Sequence, residues 1–204
     1  MLLKIFDPNT NPKHIQQVVD ILQNDGIVIY PTDSVYGLGG SINSHKAIEK
    51  IASIKGISVE KANFSFIFSD LSQLSEYTRP ISNNVFKLMN RNLPGPFTFI
   101  LEANRNIPKI FKNKKKTIGI RIPDNNIIRS IVETMGNPVM NTSVYDKDDI
   151  LEYTTDPELI HENYKDIVDL VIDGGYGNNI ASTVVDCTGD KIEIIRQGAG
   201  ELIL

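Results

Sequence analysis

The chain has 204 residues, 41% hydrophobic and 23% charged, the profile of a soluble globular protein. A formal net charge of −4 argues against a protein that coats nucleic acid, because neutralising phosphates takes clustered positive charge. The lone cysteine, Cys187, excludes an internal disulfide and fits a cytoplasmic location; no membrane helix is expected, and the N-terminus turns polar too early for a secretory signal.

In chain order, Asn11 as N-cap and Pro12 at the first helical position open a helix whose apolar face is Ile15, Val18, Val19 and Leu22. Asn24-Asp25-Gly26 ends it, and 27–30 reads as a buried strand stopped by Pro31. The strand runs into PTDSVYGLGG at 31–40. Gly37, Gly39 and Gly40 are expected to supply positive φ or a close backbone approach. Thr32 and Ser34 put hydroxyls at a strand's carboxyl end, where open α/β sheets hold ligands. The glycine spacing fits neither a Walker loop nor the dinucleotide fingerprint, and a tight structural turn is the competing explanation.

Ser44 caps a second helix faced by Ala47, Ile48, Ile51 and Ala52, with Gly56 as its stop. Residues 64–68, 97–101, 117–122, 138–141, 168–172, 182–186 and 191–195 read as strands, and 71–77 and 82–91 as short helices. Pro94-Gly95-Pro96 is a break. Asp124 is the expected cap of a helix carrying Ile127, Ile128, Ile131, Val132 and Met135. Alternation mixed with strand-rich stretches predicts one α/β domain, 1–204, with a mixed sheet.

The three histidines, His14, His45 and His161, have no ligand spacing, so no metal site of the protein's own is predicted. There is no GxSxG elbow, and Cys187 lies in an apolar strand pattern that suits a buried thiol. Anion binding is the better lead. Lys112, Lys114, Lys115 and Lys116 precede a strand whose alternation places Thr117, Gly119 and Arg121 on one face. An arginine on a small-residue face suits a carboxylate or phosphate; an exposed edge strand and a solvated lysine loop are the plainer explanations. Ser182-Thr183 and Arg196 repeat the theme, and together they predict a pocket for a polar, anionic ligand.

In kind and order, PTDSVYGLGG, Lys55-Gly56, PGPFTFIL at 94–101, TIGIRIP at 117–123, STVVD at 182–186 and IIRQGAG at 194–200 resemble the YrdC-like family of threonylcarbamoyl-adenylate synthases. The resemblance implies a twisted mixed sheet with flanking helices around a concave basic pocket. It implies a nucleotidyltransferase that joins L-threonine, bicarbonate and ATP, with Mg²⁺, into threonylcarbamoyl-AMP and pyrophosphate. The product would serve t6A37 modification of tRNA together with proteins of that pathway. Carried over by position, Thr32, Ser34, Arg121, Ser143 and Ser182 would contact threonine, and Lys55, Asn63, Thr117 and Arg196 the nucleotide, with Lys55 and Arg121 catalytic. The chain departs from the family pattern at Ile57, Phe68 and Tyr145, which replace an arginine, a histidine and an asparagine. With NFSFIF at 63–68 and GGY at 174–176, these departures resemble the YciO branch. They keep open an alternative, a nucleotide- or RNA-binding protein with weak or no synthase activity.

Overall fold

In a computed structural model, the chain is described at residues 1–8, 10–59, 62, 64–108, 111, 116–144 and 152–204. Helix starts follow the local chemistry. The Asn11 side chain accepts from the Lys13 amide and opens α1 (Pro12–Gln23); the Ser44 hydroxyl accepts from the Ala47 amide and opens α2 (His45–Ile54). The later helices are α3 (Asn83–Asn92), α4 (Asn126–Met135), α5 (Glu152–Thr155) and α6 (Pro157–Tyr164). The cap of α4 is Asn125, not Asp124, and 71–77 contains a 3-10 turn, Ser72–Glu76. Sequence patterns alone missed α5 and α6.

Ten strands are described: β1 (Leu2–Lys4), β2 (Ile27–Tyr30), β3 (Gly37–Ser41), β4 (Ser65–Ile67), β5 (Phe97–Glu102), β6 (Thr117–Arg121), β7 (Val139–Ser143), β8 (Leu170–Asp173), β9 (Thr183–Asp186) and β10 (Glu193–Arg196). They form one mixed sheet in the order β1-β8-β2-β3-β7-β4-β6-β5-β9-β10. β6 therefore lies inside the sheet, which rules out the edge-strand explanation of Arg121.

β1 and β3 were not predicted. β3 contains the glycines expected to form a loop, and it is a buried strand pairing with β2 and β7. None of Gly37, Gly39 and Gly40 has positive φ; close approach is the reason for all three. A Cβ on Gly37 would come within 2.6 Å of the Tyr30 ring, and one on Gly39 within 2.5 Å of the Tyr30 hydroxyl. The Tyr30 side chain thus fills the space that two side chains on the neighbouring strand would need.

The sheet separates two apolar layers. On one face, α2 and α3 pack with Phe66, Phe68, Phe99, Ile118 and Ile120. On the other, α1 and α4 pack over Val28, Ile67, Val139, Leu170 and Ile172. The second layer covers only part of its face, and the rest carries the polar side chains described next.

Candidate functional site

Register builds the site. Ser65, Asn141 and Gly119 pair side by side on β4, β7 and β6, so they share one face of the sheet. Thr117 and Arg121 extend it along β6. The Tyr30 hydroxyl reaches across the β3 glycines to donate to Asn141 Oδ1 at 3.0 Å, and Asn141 Nδ2 donates to Ser65 Oγ at 3.0 Å. Burial holds the Tyr30 hydroxyl well above its usual pKa, so it stays a donor.

Arg121 anchors the face. It is 5% exposed, and its Nη2 donates to Ser34 Oγ at 2.8 Å and to Asp33 Oδ1 at 3.1 Å. Three strands separate β2 from β6, so the bond to Ser34 requires the 31–36 connection to bend across the sheet's face. That connection is held internally: the Thr32 hydroxyl donates to the Val35 carbonyl, and the Ser34 amide donates to Thr32 Oγ1. It is held externally by Asp124 N donating to Asp33 Oδ2 and by Asn178 donating to the carbonyls of Asp33 and Ser34. Burial raises the Asp33 carboxyl above the usual carboxylate range, and the Arg121 guanidinium and the Asp124 amide pull it back. Burial likewise lowers Arg121; Asp33 and Tyr30 raise it, and the positive charge of Arg196 lowers it further.

The mutual repulsion of Arg121 and Arg196 places a second cluster nearby. Ser182 shares a 2.8 Å hydrogen bond with the Thr98 hydroxyl, and Arg196 Nη2 donates to the Ser182 carbonyl at 2.7 Å and to its hydroxyl at 3.3 Å. Thr183 Oγ1, fully buried, accepts from the amides of Gly198 and Gly200 and donates to the Gly200 carbonyl. This fastens the stretch after Arg196. A third contact joins Lys55, at the end of α2, to β7: Nζ donates to the Ser143 carbonyl at 3.0 Å. Burial lowers the Lys55 ammonium pKa. Thr117 begins β6 on the same face.

Of the predicted residues, Thr32, Ser34 and Arg121 meet directly, as do Ser182 with Arg196 and Lys55 with Ser143. Asn63, Tyr145 and Lys112, Lys114 and Lys115 lie outside the described residues. Ile57 is 41% exposed, beyond the turn in which Gly56 takes φ +65°. Phe68 is buried in the core against Tyr77, so its ring belongs to the opposite face. The sequence reading missed Asp33, Tyr30, Ser65, Thr98 and Asn141. Alternation in IVIY, TFIL and VMN contained part of that signal, but their partners lie tens of residues away. Cys187 behaves as the buried thiol expected, pushed up to about 11. Among the described residues, no group of three His, Cys, Asp or Glu could hold a metal, and no helix is long and apolar enough to cross a membrane. Two surface clefts, along α1 and between Asp186 and Glu193, include none of the predicted site residues.

The sequence profile of the Sua5/YciO/YrdC family, described as telomere recombination, matches residues 20–198. The uncharacterized protein YciO of Escherichia coli K12 is 38% identical over 200 residues, 97% of this chain and 95% of that one. The crystal structure of E. coli YciO has a TM-score of 0.90 at 37% identity and covers 98% of this chain and 97% of that one. The threonylcarbamoyl-AMP synthase of Buchnera aphidicola is 35% identical over 125 residues, 60% of this chain and 71% of that one. P. abyssi Sua5 complexed with L-threonine shares the fold, with a TM-score of 0.85 at 21% identity over 97% of this chain and 57% of that one.

Proposed function

The chain belongs to the Sua5/YciO/YrdC family, and from that premise we propose that it is an enzyme of the threonylcarbamoyl-AMP synthase type. It joins L-threonine, bicarbonate and ATP into threonylcarbamoyl-AMP and pyrophosphate, in the cytoplasm, for t6A37 modification of tRNA. One observation carries the reading. Arg121 and Ser34, 87 residues apart, meet through a 2.8 Å hydrogen bond on a polar face that also carries Ser182.

In this reading, a carbamate oxygen attacks the α-phosphorus of ATP. An O–P bond forms, the bond to the β-phosphate breaks, and pyrophosphate leaves with the electron pair. Attacking and leaving groups are both anionic, so catalysis rests on positioning and fixed positive charge. Arg121 holds the threonine carboxylate, and Thr32, Ser34, Ser143 and Ser182 offer hydroxyls to the rest of the amino acid. Lys55, Arg196, Asn63 and Thr117 face the nucleotide. The described residues form no carboxylate cage, so the donor set suits Mg²⁺ carried by the phosphates; bound there, it would neutralise their charge.

The experiment is pyrophosphate release from ATP and bicarbonate, measured with and without L-threonine. Release that depends on L-threonine supports the reading. Nucleotide binding without release supports the second one, a nucleotide- or RNA-binding protein. That alternative is favoured by Ile57, an exposed apolar residue where the family pattern carries an arginine.

A further inference from the structure

We propose that Arg121 and Asp33 together form a subsite for an α-amino acid in its zwitterionic form, with Arg121 taking the carboxylate and Asp33 the α-ammonium. The inference rests on the reading that Arg121 binds a ligand carboxylate, and it adds Asp33 as a residue that determines specificity. Three observations lead to it.

First, Arg121 is not fully used by the protein. Nη2 serves Asp33 and Ser34, yet Nε is buried with no hydrogen-bond partner. A buried donor without a partner is costly, and a ligand oxygen would relieve it. Second, the guanidinium already has a counter-ion. The Asp33 carboxylate lies 3.1 Å away, with 9% of its side chain exposed. A ligand bearing only a carboxylate would bring a second anion beside the first, and like charges around one guanidinium repel. An α-amino acid carries its own cation one carbon from its carboxylate, which turns that repulsion into attraction. Third, Asp33 has acceptor capacity to spare. Arg121 reaches Oδ1 and the Asp124 amide reaches Oδ2, while an ionised carboxylate offers about four lone-pair positions. The other groups facing the pair suit the same ligand. Arg196 adds positive charge from β10, and Tyr30 on β2 is held as a neutral hydroxyl.

The test titrates the full chain calorimetrically with L-threonine and with 2,3-dihydroxybutanoate, the analogue in which a hydroxyl replaces the ammonium. Wild type and Asp33→Asn are compared. Wild type is expected to favour L-threonine by about tenfold or more, the factor carried by a hydrogen bond between charged groups, and the ratio should fall toward one in Asp33→Asn. If wild type binds both ligands equally, the carboxylate role of Arg121 stands and the zwitterion subsite falls. If Asp33→Asn keeps the wild-type ratio, the ammonium is held elsewhere and the proposal is overturned. If wild type binds neither ligand, the threonine reading itself fails and takes the subsite with it. Circular dichroism checks the fold of Asp33→Asn; if it does not fold, the wild-type ratio alone decides.

Discussion

Two halves of one sheet face behave differently along the same strands. On β4 and β7, Ile67 and Val139 pair side by side under α1 and α4; two residues along, on the same face, Ser65 and Asn141 pair instead. The apolar half is complete in itself, because each side chain packs against a helix of the same chain. The polar half is satisfied through contacts between residues far apart in sequence: Tyr30 with Asn141, Arg121 with Asp33 and Ser34, Thr98 with Ser182. It still leaves Arg121 Nε without a partner. A sheet face changes from core to site where helix cover stops and strand positions turn from Ile and Val to Ser, Asn, Gly and Arg.

The contrast breaks most sharply at Arg121. Arg121→Ala strands a buried carboxylate at Asp33 and should cost about 3–5 kcal/mol of stability in urea unfolding; adding Asp33→Asn should return most of the loss. An Arg121→Ala variant as stable as wild type would mean that the pair is not structural. In the apolar half, Ile131→Ala leaves a cavity under α4 and should cost about 3 kcal/mol, with no second-site charge change able to repair it and L-threonine affinity of the folded variant unchanged.

Next in size is Ile57→Arg. The exposed position leaves room for the longer side chain, so thermal stability should stay within about 0.5 kcal/mol. A phosphate contact there should raise ATP affinity by about tenfold, measured by calorimetry. A stable variant with unchanged ATP affinity would favour the binding-protein reading with a different ligand.

The smallest effect concerns pH. Because burial raises the Asp33 carboxyl in the folded protein, the native state binds its proton more tightly than the unfolded state. That contribution to stability is fully present below the unfolded value of about 3.9 and is lost as pH rises through the folded one. Relative to Asp33→Asn, wild type should therefore lose stability as pH climbs from about 4, followed by chemical unfolding across the acid range. An identical pH dependence in the two proteins would remove burial as the dominant influence on Asp33.

What could be read from sequence was local. Asn11-Pro12 and Ser44 announce helix starts because the capping partner is two or three residues away. β3 was not legible, because four of its five residues are Gly, Gly, Gly and Ser, and the reason for two of those glycines is a ring on the adjacent strand. Asp124 looked like the α4 cap by type, yet its own amide is engaged by Asp33, 91 residues earlier. At the candidate site, Ser34, Arg121, Ser182 and Arg196 were legible through their motifs. Asp33 stands in the same motif as Ser34 and was passed over, since an acid in a loop has no visible role until its arginine is placed beside it.

The Tyr30 ring also gives the two glycines beneath it different mutational fates. At Gly37, a new methyl group would meet the side chains of Tyr30 and Asn141, both of which can be trimmed. At Gly39 it would lie 2.4 Å from the Met140 carbonyl oxygen, which belongs to the backbone of the paired strand and cannot be mutated away. Gly37→Ala is therefore a conditional lesion, harmful beside Tyr30 and relieved once smaller residues replace Tyr30 and Asn141. Gly39→Ala is harmful in every such background. A library randomising these positions together would show strong epistasis at residue 37 and a flat, background-independent intolerance at residue 39.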